Sequence, residues 1–267
     1  MELSIVLPVR DELAAVFALV GELDALPRAT GLCDIVFVDD GSRDGTAQAL
    51  ARLAAERAAD RPPLRLMRHR ASLGQSTALR SGVRAASAPW VVTLDGDGQN
   101  DPADIPRLLD ALRRARPDGG PALVAGERRE RRDSWLRRVS SRLANGVRRR
   151  VLHDGVADTG CGLKLFPRDA YLELPFFDHQ HRFLPALFLR EEIPVVTVPV
   201  RHRPRLGGSS KYGVHNRLWA GIVDLLGVWW LCRRGGRRAE IQPSGQAPWL
   251  PAAGASPRML AHGKERP

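Results

Sequence analysis

The sequence is poor in cysteine and has no long apolar run. Its three cysteines, Cys33, Cys161 and Cys232, are odd in number and widely spaced. This spacing excludes a disulfide-built scaffold and a four-cysteine zinc site, and it is typical of a reducing compartment. An uninterrupted apolar run of about 18 residues is missing, so no membrane-spanning helix is predicted. The first residues also lack the basic start and apolar stretch of a signal peptide, and we expect a cytoplasmic protein.

Positive charge is abundant but unevenly distributed. The 267 residues carry a formal net charge of +11, and only three of the 41 basic residues are lysines. Residues 1–112 hold 12 basic and 16 acidic residues, whereas residues 113–150 hold 13 arginines and 4 acidic residues. A strongly basic chain could bind nucleic acid, but the sequence shows no nucleic-acid-binding motif and its first half is acidic. We therefore expect no nucleic-acid partner; genomic base composition is an alternative source of the arginine bias.

The first 125 residues alternate between two hydrophobic periods. Short, nearly continuous apolar runs predict strands buried on both faces, and runs with helical spacing lie between them. The predicted strands are Leu3–Leu7, Ile35–Val38, Leu64–Met67, Trp90–Leu94 and Ala122–Ala125. Strand and helix alternation with short links predicts an α/β fold with a mostly parallel sheet flanked by helices.

Acidic residues follow three of the predicted strands. The three clusters are Asp11 with Glu12, Asp39 with Asp40, and Asp95 with Asp97. In parallel sheets ligands bind at the carboxyl ends of the strands. We therefore expect these carboxylates to converge on one crevice.

The segment from Asp95 to Gln99 predicts a site for a hard cation. Asp95 and Asp97 are separated by one glycine and can turn toward the same ion, and Gln99 adds a neutral oxygen. Mg²⁺ or Mn²⁺ accepts such ligands and keeps the rest of its shell for phosphates and water. Taken alone, so short a motif is also compatible with a solvated acidic turn.

Five segments in collinear order carry a family resemblance. They are SIVLPVRDE, VDDGSRDGT, LGQSTALRSGVRAASAPWVVTLDGDGQNDP, DTGCGLKLF and RPRLGGSSKYG. Over about residues 2–232 the chain resembles family 2 glycosyltransferases of the polyprenyl-phosphate branch, such as dolichol-phosphate mannosyltransferases. The resemblance implies a nucleotide-binding fold of the GT-A type.

The resemblance also implies a reaction. It is the inverting, metal-dependent transfer of a hexosyl group from a nucleotide sugar, with GDP-mannose as the expected donor, to a polyprenyl phosphate. A phosphate monoester is already anionic near neutral pH, so no catalytic base is assigned. Asp95 and Asp97 are the candidate catalytic residues because they would hold the Mg²⁺ or Mn²⁺ cofactor. Alternatives are a UDP- or dTDP-sugar donor, a different sugar, a saccharide acceptor and, more remotely, a nucleotidyltransferase.

A set of donor-binding residues follows from the matched segments. Its members are Pro8, Arg10, Glu12, Val38, Asp39, Asp40, Asp95, Gly96, Asp97, Arg128, Arg205 and Lys211. Arg10 stands where the family usually has tyrosine, but a guanidinium can also stack on a base. Arg128, Arg205 and Lys211 suit the donor diphosphate. For Asp39 and Asp40, the alternative is capping of the loop that follows.

The later part of the chain predicts a membrane-facing region. We expect a catalytic domain at 1–232, with a nucleotide-sugar-binding half at 1–125, an acceptor half at 126–217 and an amphipathic helix at 218–232. Residues 233–267 predict a disordered basic tail. The helix is too short to span a membrane and contains Asp224 and three tryptophans, so it would lie in the interface or dock on the enzyme's core. Expected partners are the cytoplasmic membrane surface and an integral membrane protein.

Overall fold

The computed structural model describes residues 1–128, 146–205 and 215–234, and gives only the backbone of residues 215–220. Strands and helices alternate through the first part of the chain, as predicted. The elements are β1 (Leu3–Val9), α1 (Leu13–Asp24), β2 (Leu32–Asp39), α2 (Thr46–Ala55), β3 (Leu64–Arg68), α3 (Gln75–Ala85), β4 (Trp90–Thr93) and α4 (Ile105–Ala115).

The second part of the described chain contributes three further strands. The elements are β5 (Leu123–Arg128), helical residues 146–152 (α5), β6 (Lys164–Pro167), α6 (Arg168–Glu173), α7 (Leu184–Arg190), β7 (Val195–Val200) and α8 (His215–Arg233). Short 3₁₀ turns lie at Arg28–Thr30, Pro102–Asp104 and Gln180–Arg182. The predicted helix near residues 135–151 lies largely outside the described residues.

One seven-stranded sheet has the order β3-β2-β1-β4-β6-β5-β7. β6 runs antiparallel to β4 and β5, and the other neighbouring strands are parallel. The mostly parallel α/β fold is therefore confirmed. Antiparallel β6 lies between β4 and β5. Its first residue, Lys164, pairs with Thr93, so the segment 158–164 lies beside the end of β4.

Helices cover both faces of the sheet, which explains the continuous apolar strands. Leu3, Ile5 and Leu7 of β1 point into a core shared with α1 and α4, whereas Val6 points into a second core with α3, α6 and α7. The four side chains have no solvent exposure. Because both faces of these strands are buried, β1, β2 and β4 are held in register and their carboxyl ends lie side by side.

The predicted C-terminal helix is present as α8, and both of its sides carry apolar residues. Val228 is 2% exposed and packs into the second core, where Leu225 and Leu231 join it. The opposite side is solvent-exposed. We call it the outer face of α8; it consists of Ile222, Val223, Leu226 and Trp230. Within the described part of the chain, helices of the length and apolarity needed to cross a bilayer are absent.

Residues Met1–Gly235 form one compact unit. The predicted division of the catalytic domain at residues 125 and 217 stays a prediction. The predicted tail at 233–267 falls almost wholly outside the described residues, which end at Arg234.

Candidate functional site

The carboxyl ends of β1, β2 and β4 meet where the sequence predicts. Parallel pairing places Pro8 opposite Val38 and Val9 opposite Asp39, and the Asp40 N–H donates to the Val9 carbonyl at 2.9 Å. Gly96 brings the end of β4 against β1. A Cβ on Gly96 would lie 2.4 Å from Val9 Cγ1 and 2.9 Å from the Pro8 carbonyl oxygen, so a larger residue would push the strands apart.

Asp97 lies in this crevice and contacts a cationic side chain. Its Oδ1 accepts a hydrogen bond from the Gln99 N–H at 3.0 Å, and its Oδ2 accepts from Arg205 Nη2 at 3.0 Å and Nε at 3.2 Å. Arg205 Nη2 also lies 3.3 Å from Glu12 Oε1. Three residues predicted to bind the donor therefore form one charged group.

Asp95 lies close to Asp97 and is partly buried. Burial, and then the charge of Asp97, raise the pKa of Asp95 to about 6. Its Oδ1 accepts a hydrogen bond from Gln75 Nε2 at 2.8 Å. On its other side Gly162 leaves room, because a Cβ there would lie 2.3 Å from the Asp95 carboxylate carbon. Gln75 and Gly162 were not predicted as site residues, although both lie in matched segments.

The oxygen donors of this crevice fit a hard divalent cation. Asp95 and Asp97 supply carboxylates of like charge, and Gln99 directs its amide Nε2 toward the Arg203 carbonyl at 3.5 Å, leaving its oxygen as the donor atom. Such a set suits Mg²⁺ or Mn²⁺ with substrate phosphates completing the shell. Among the described residues, no group of three or more His, Cys, Asp or Glu side chains could hold a metal ion. The protein's carboxylates alone therefore do not complete a coordination shell.

Asp39 and Asp40 have different surroundings. Both oxygens of Asp40 hold the loop before α3: Oδ1 meets the Leu73 N–H and His69 Nδ1, and Oδ2 meets Ser72 Oγ and the Gly74 N–H, all within 2.9 Å. Burial alone would raise the pKa of Asp40, but these hydrogen bonds lower it below its ordinary value. Asp40 therefore shapes the site through this loop.

Asp39 is completely buried beneath an arginine-lined cavity. Its Oδ1 accepts the Ser42 N–H at 3.0 Å, which caps the following loop, and its Oδ2 lies 3.2 Å from Arg68 Nε. The neighbouring cavity has a volume of about 320 Å³. Its lining residues are Arg10, Gly41, Ser42, Arg43, Arg68, Arg70, Ala71 and Ser72. None of these lining residues is aromatic, and Arg10, the residue predicted to stack on a base, is one of them.

A larger groove of about 620 Å³ lies between α4 and β7. Arg107 and Val200 are among its lining residues, and it contains none of the predicted site residues. The chemistry of the crevice, rather than cavity size, therefore identifies the candidate site.

Arg128 and Lys164 lie behind Asp95. Arg128 makes a two-pronged ion pair with Asp158, with Nε–Oδ2 at 2.6 Å and Nη2–Oδ1 at 2.8 Å. Lys164 is 4% exposed and donates to the carbonyls of Thr159 and Cys161. Burial lowers the pKa of Lys164. The DTGCGLK segment therefore supplies the buried Lys164 beside Asp95 and holds Arg128 there through Asp158, a role that the motif alone did not specify.

The remaining donor-binding predictions are not settled by these contacts. Lys211 lies outside the described residues. Arg10 donates through Nη1 to Ser72 Oγ at 2.9 Å, at the mouth of the arginine-lined cavity. The metal and nucleotide roles of the predicted set stay predictions.

Comparison with known proteins supports the family assignment. The pattern of glycosyl transferase family 2 matches residues 4–174. An undecaprenyl-phosphate 4-deoxy-4-formamido-L-arabinose transferase from Edwardsiella ictaluri is 34% identical over 79% of this chain and 63% of its own length. A dodecaprenyl-phosphate galacturonate synthase from Rhizobium johnstonii is 33% identical over 87% of this chain and 68% of its own length. The chain thus spans about two thirds of these relatives, and neither name mentions mannose.

Solved structures share the fold at low identity. Mannosyl-3-phosphoglycerate synthase from Rubrobacter xylanophilus superposes with a TM-score of 0.65 at 16% identity, covering 91% of this chain and 78% of that one. Glucosyl-3-phosphoglycerate synthase from Mycobacterium tuberculosis, in a complex with Mn²⁺, UDP-glucose and glycerol 3-phosphate, gives a TM-score of 0.58 at 19% identity, covering 89% and 82%. The predicted GT-A type fold and the resemblance to polyprenyl-phosphate glycosyltransferases are confirmed. The chain belongs to glycosyl transferase family 2.

Proposed function

We propose that this protein transfers a sugar from a nucleotide sugar to a polyprenyl phosphate. The observation that carries the proposal is the crevice at the ends of parallel strands, in which Asp97 contacts Arg205 and lies beside Asp95. The two curated relatives described above are both named for polyprenyl-phosphate substrates, which supports the acceptor class.

The acceptor phosphate supplies its own nucleophile. A phosphate oxygen attacks the anomeric carbon as the bond from that carbon to the nucleoside diphosphate breaks, which inverts the configuration. Bound Mg²⁺ or Mn²⁺ would neutralise the leaving diphosphate. Asp95, Asp97 and Gln99 would hold that ion, and Arg205 would face the same phosphates.

The surroundings of Asp39 favour a uridine donor over the expected guanosine donor. Asp39 Oδ1 already accepts the Ser42 N–H, so Oδ2 is the acceptor that is left; the largely exposed Arg68 side chain covers it and would have to move aside to admit a base. One acceptor beside a guanidinium donor matches the edge of uracil, where an N–H lies between two carbonyl oxygens. Guanine presents two adjacent donors and would need a second acceptor. We therefore replace GDP-mannose by a UDP-sugar and leave the sugar open.

The outer face of α8 supports a membrane location beside the lipid acceptor. Val223 and Trp230 are 64% and 55% exposed, while the inner side of the helix packs on the core. The guanidiniums of Arg233 and Arg234 lie over the rings of Trp229 and Trp230, at 4.5 and 5.8 Å from the ring centroids. Apolar and aromatic residues next to arginines suit an anionic bilayer interface. We place α8 in the cytoplasmic membrane interface, next to an integral membrane partner.

A product assay tests the proposal. The full chain is incubated with undecaprenyl phosphate, Mg²⁺ or Mn²⁺, and UDP-, dTDP- or GDP-linked sugars, and the organic phase is analysed by mass spectrometry. We expect a lipid-phosphate sugar with a UDP-sugar. Product from GDP-mannose alone would overturn the uridine assignment, and a water-soluble glycoside in place of a lipid would overturn the acceptor assignment.

A further inference from the structure

The guanidinium of Arg205 occupies the acidic crevice in which the proposed metal would bind. Two of its nitrogens lie 3.0 and 3.2 Å from Asp97 Oδ2, and Nη2 lies 3.3 Å from Glu12 Oε1. The Arg205 side chain is 31% exposed, and those of Asp97 and Glu12 are 10% and 13% exposed. A side chain predicted to bind phosphate therefore neutralises two enclosed carboxylates.

The backbone just before Arg205 is held at residues 202 and 203 by contacts that do not involve the Arg205 side chain. The Arg203 N–H donates to the Gln99 carbonyl at 3.0 Å, and Asn100 pairs with His202 in an antiparallel bridge. The Arg203 guanidinium donates two hydrogen bonds, of 2.7 and 2.8 Å, to the Glu22 carboxylate. The guanidinium of Arg205 can therefore exchange partners while its backbone stays beside the metal-binding segment.

A metal ion and this guanidinium would compete for Asp97. Both are cations, and like charges a few ångströms apart in an enclosed site repel each other strongly. We propose that Arg205 is the resident counter-ion of Asp97 and Glu12, and that it moves to the donor diphosphate when the metal binds. This inference rests on the proposed metal site.

The exchange makes metal and nucleotide binding depend on each other. Without nucleotide, the metal must displace a guanidinium from Asp97 and leave it without a phosphate partner. With the diphosphate present, the guanidinium gains a strong charge-assisted hydrogen-bond acceptor. By linkage, each ligand should then strengthen the binding of the other by the same factor.

Arg128 is a poor candidate for the same exchange. Its guanidinium is 12% exposed and is held by both oxygens of Asp158 at 2.6 and 2.8 Å. Moving it would leave the buried Asp158 carboxylate without this pair, which is costly. Arg205, which shares its guanidinium between two carboxylates of the crevice itself, is the mobile charge.

Direct measurement of Mn²⁺ binding tests the inference without any turnover. Free Mn²⁺ is titrated by electron paramagnetic resonance into the full chain, first alone and then with UDP or GDP, with protein-free blanks. Arg205→Met should bind Mn²⁺ alone more tightly than wild type by about fivefold or more. Nucleotide should strengthen Mn²⁺ binding less in this variant than in wild type.

Three further variants make the result specific. Arg205→Lys keeps the charge and should bind Mn²⁺ as weakly as wild type. Arg107→Met removes one positive charge from an ion pair with Asp104, which lies outside the crevice, and should also match wild type. Asp97→Asn should lose Mn²⁺ binding.

Two outcomes would overturn the inference, and they differ in meaning. If Asp97→Asn loses Mn²⁺ but Arg205→Met binds it no better than wild type, Arg205 is not a competing counter-ion and the proposed function stands. If wild type and Asp97→Asn bind Mn²⁺ equally, the metal assignment fails and the inference fails with it.

Discussion

The strand ends that form the crevice and the outer face of α8 are built from opposite kinds of residue. In the crevice, charged side chains are held by hydrogen bonds and ion pairs, as with Asp40 and the backbone of its loop or Arg128 and Asp158. On α8, large apolar side chains such as Val223 face solvent. A preorganised polar crevice suits a small, highly charged donor, whereas an exposed apolar face suits a lipid environment. The predictions below separate these two regions.

Asp97→Asn should produce the largest effect. It keeps the shape of the side chain but removes the charge that would hold the metal, so transfer should fall by at least about 100-fold. Initial rates of lipid-linked sugar formation measure this loss. Asp110→Asn, at an exposed ion pair with Arg113, is the control and should keep its rate. Near-normal turnover in Asp97→Asn would refute the metal assignment.

Gly96→Ala should damage the crevice through its backbone. The new Cβ would meet Val9 and the Pro8 carbonyl within 3 Å, and overpacking of this kind costs about 1–3 kcal/mol of unfolding free energy. Urea unfolding measures the change. Gly21→Ala in α1 adds a Cβ with nothing within 4 Å and should be neutral or stabilising. Equal stability of the two variants would show that β1 and β4 can separate freely.

Polar substitution of the outer face of α8 should affect membrane binding alone. Replacing Val223 and Trp230 together by asparagine should weaken binding to anionic vesicles by about tenfold or more, because the apolar area that enters the interface is lost. Co-sedimentation with vesicles measures it. Phe17→Asn, at a 55% exposed side chain on α1, is the matched control. If wild type, the double variant and Phe17→Asn all bind vesicles equally, α8 is not the membrane contact.

His181 should make stability fall in mild acid. It is partly buried, with Nδ1 2.8 Å from Ser76 Oγ, and desolvation lowers its pKa well below the usual 6.5. Below about pH 6.5 the unfolded chain binds a proton at His181 that the folded protein does not bind. The stability that comes from the neutral imidazole is therefore fully present above about pH 6.5. It falls below that pH by up to about 1.4 kcal/mol of unfolding free energy per pH unit.

Urea unfolding at several pH values isolates this contribution. His181→Gln should flatten the loss of stability between about pH 6.5 and pH 5, whereas His153→Asn at an exposed position should retain it. An unchanged pH dependence in His181→Gln would show that folding does not lower the pKa of this imidazole.

The sequence predicts the position of the crevice, but it does not predict most of the contacts inside it. β1, β2 and β4 are recognisable because both of their faces are buried, and the residues that follow them must then share one end of the sheet. The direction of β6 was not predicted, because hydrophobic periodicity carries no information about strand orientation.

Pairings between distant residues also escaped prediction. Arg128 and Asp158 are 30 positions apart, and Asp97 and Arg205 are 108 apart. Each residue taken alone is typical of phosphate or metal binding, and only the fold reveals that they pair with each other. For α8, composition predicted an apolar helix but could not tell that Val228 packs inward while Val223 faces outward.

The most direct test of the account is the transfer of label from a UDP-sugar into the organic phase in the presence of Mn²⁺. Undecaprenyl phosphate and the dephosphorylated alcohol undecaprenol serve as paired acceptors, because they differ only in the group proposed to attack the sugar. The account predicts labelled lipid with the phosphate and none with the alcohol. Equal labelling of both, or no labelled lipid with any nucleotide sugar, would contradict it.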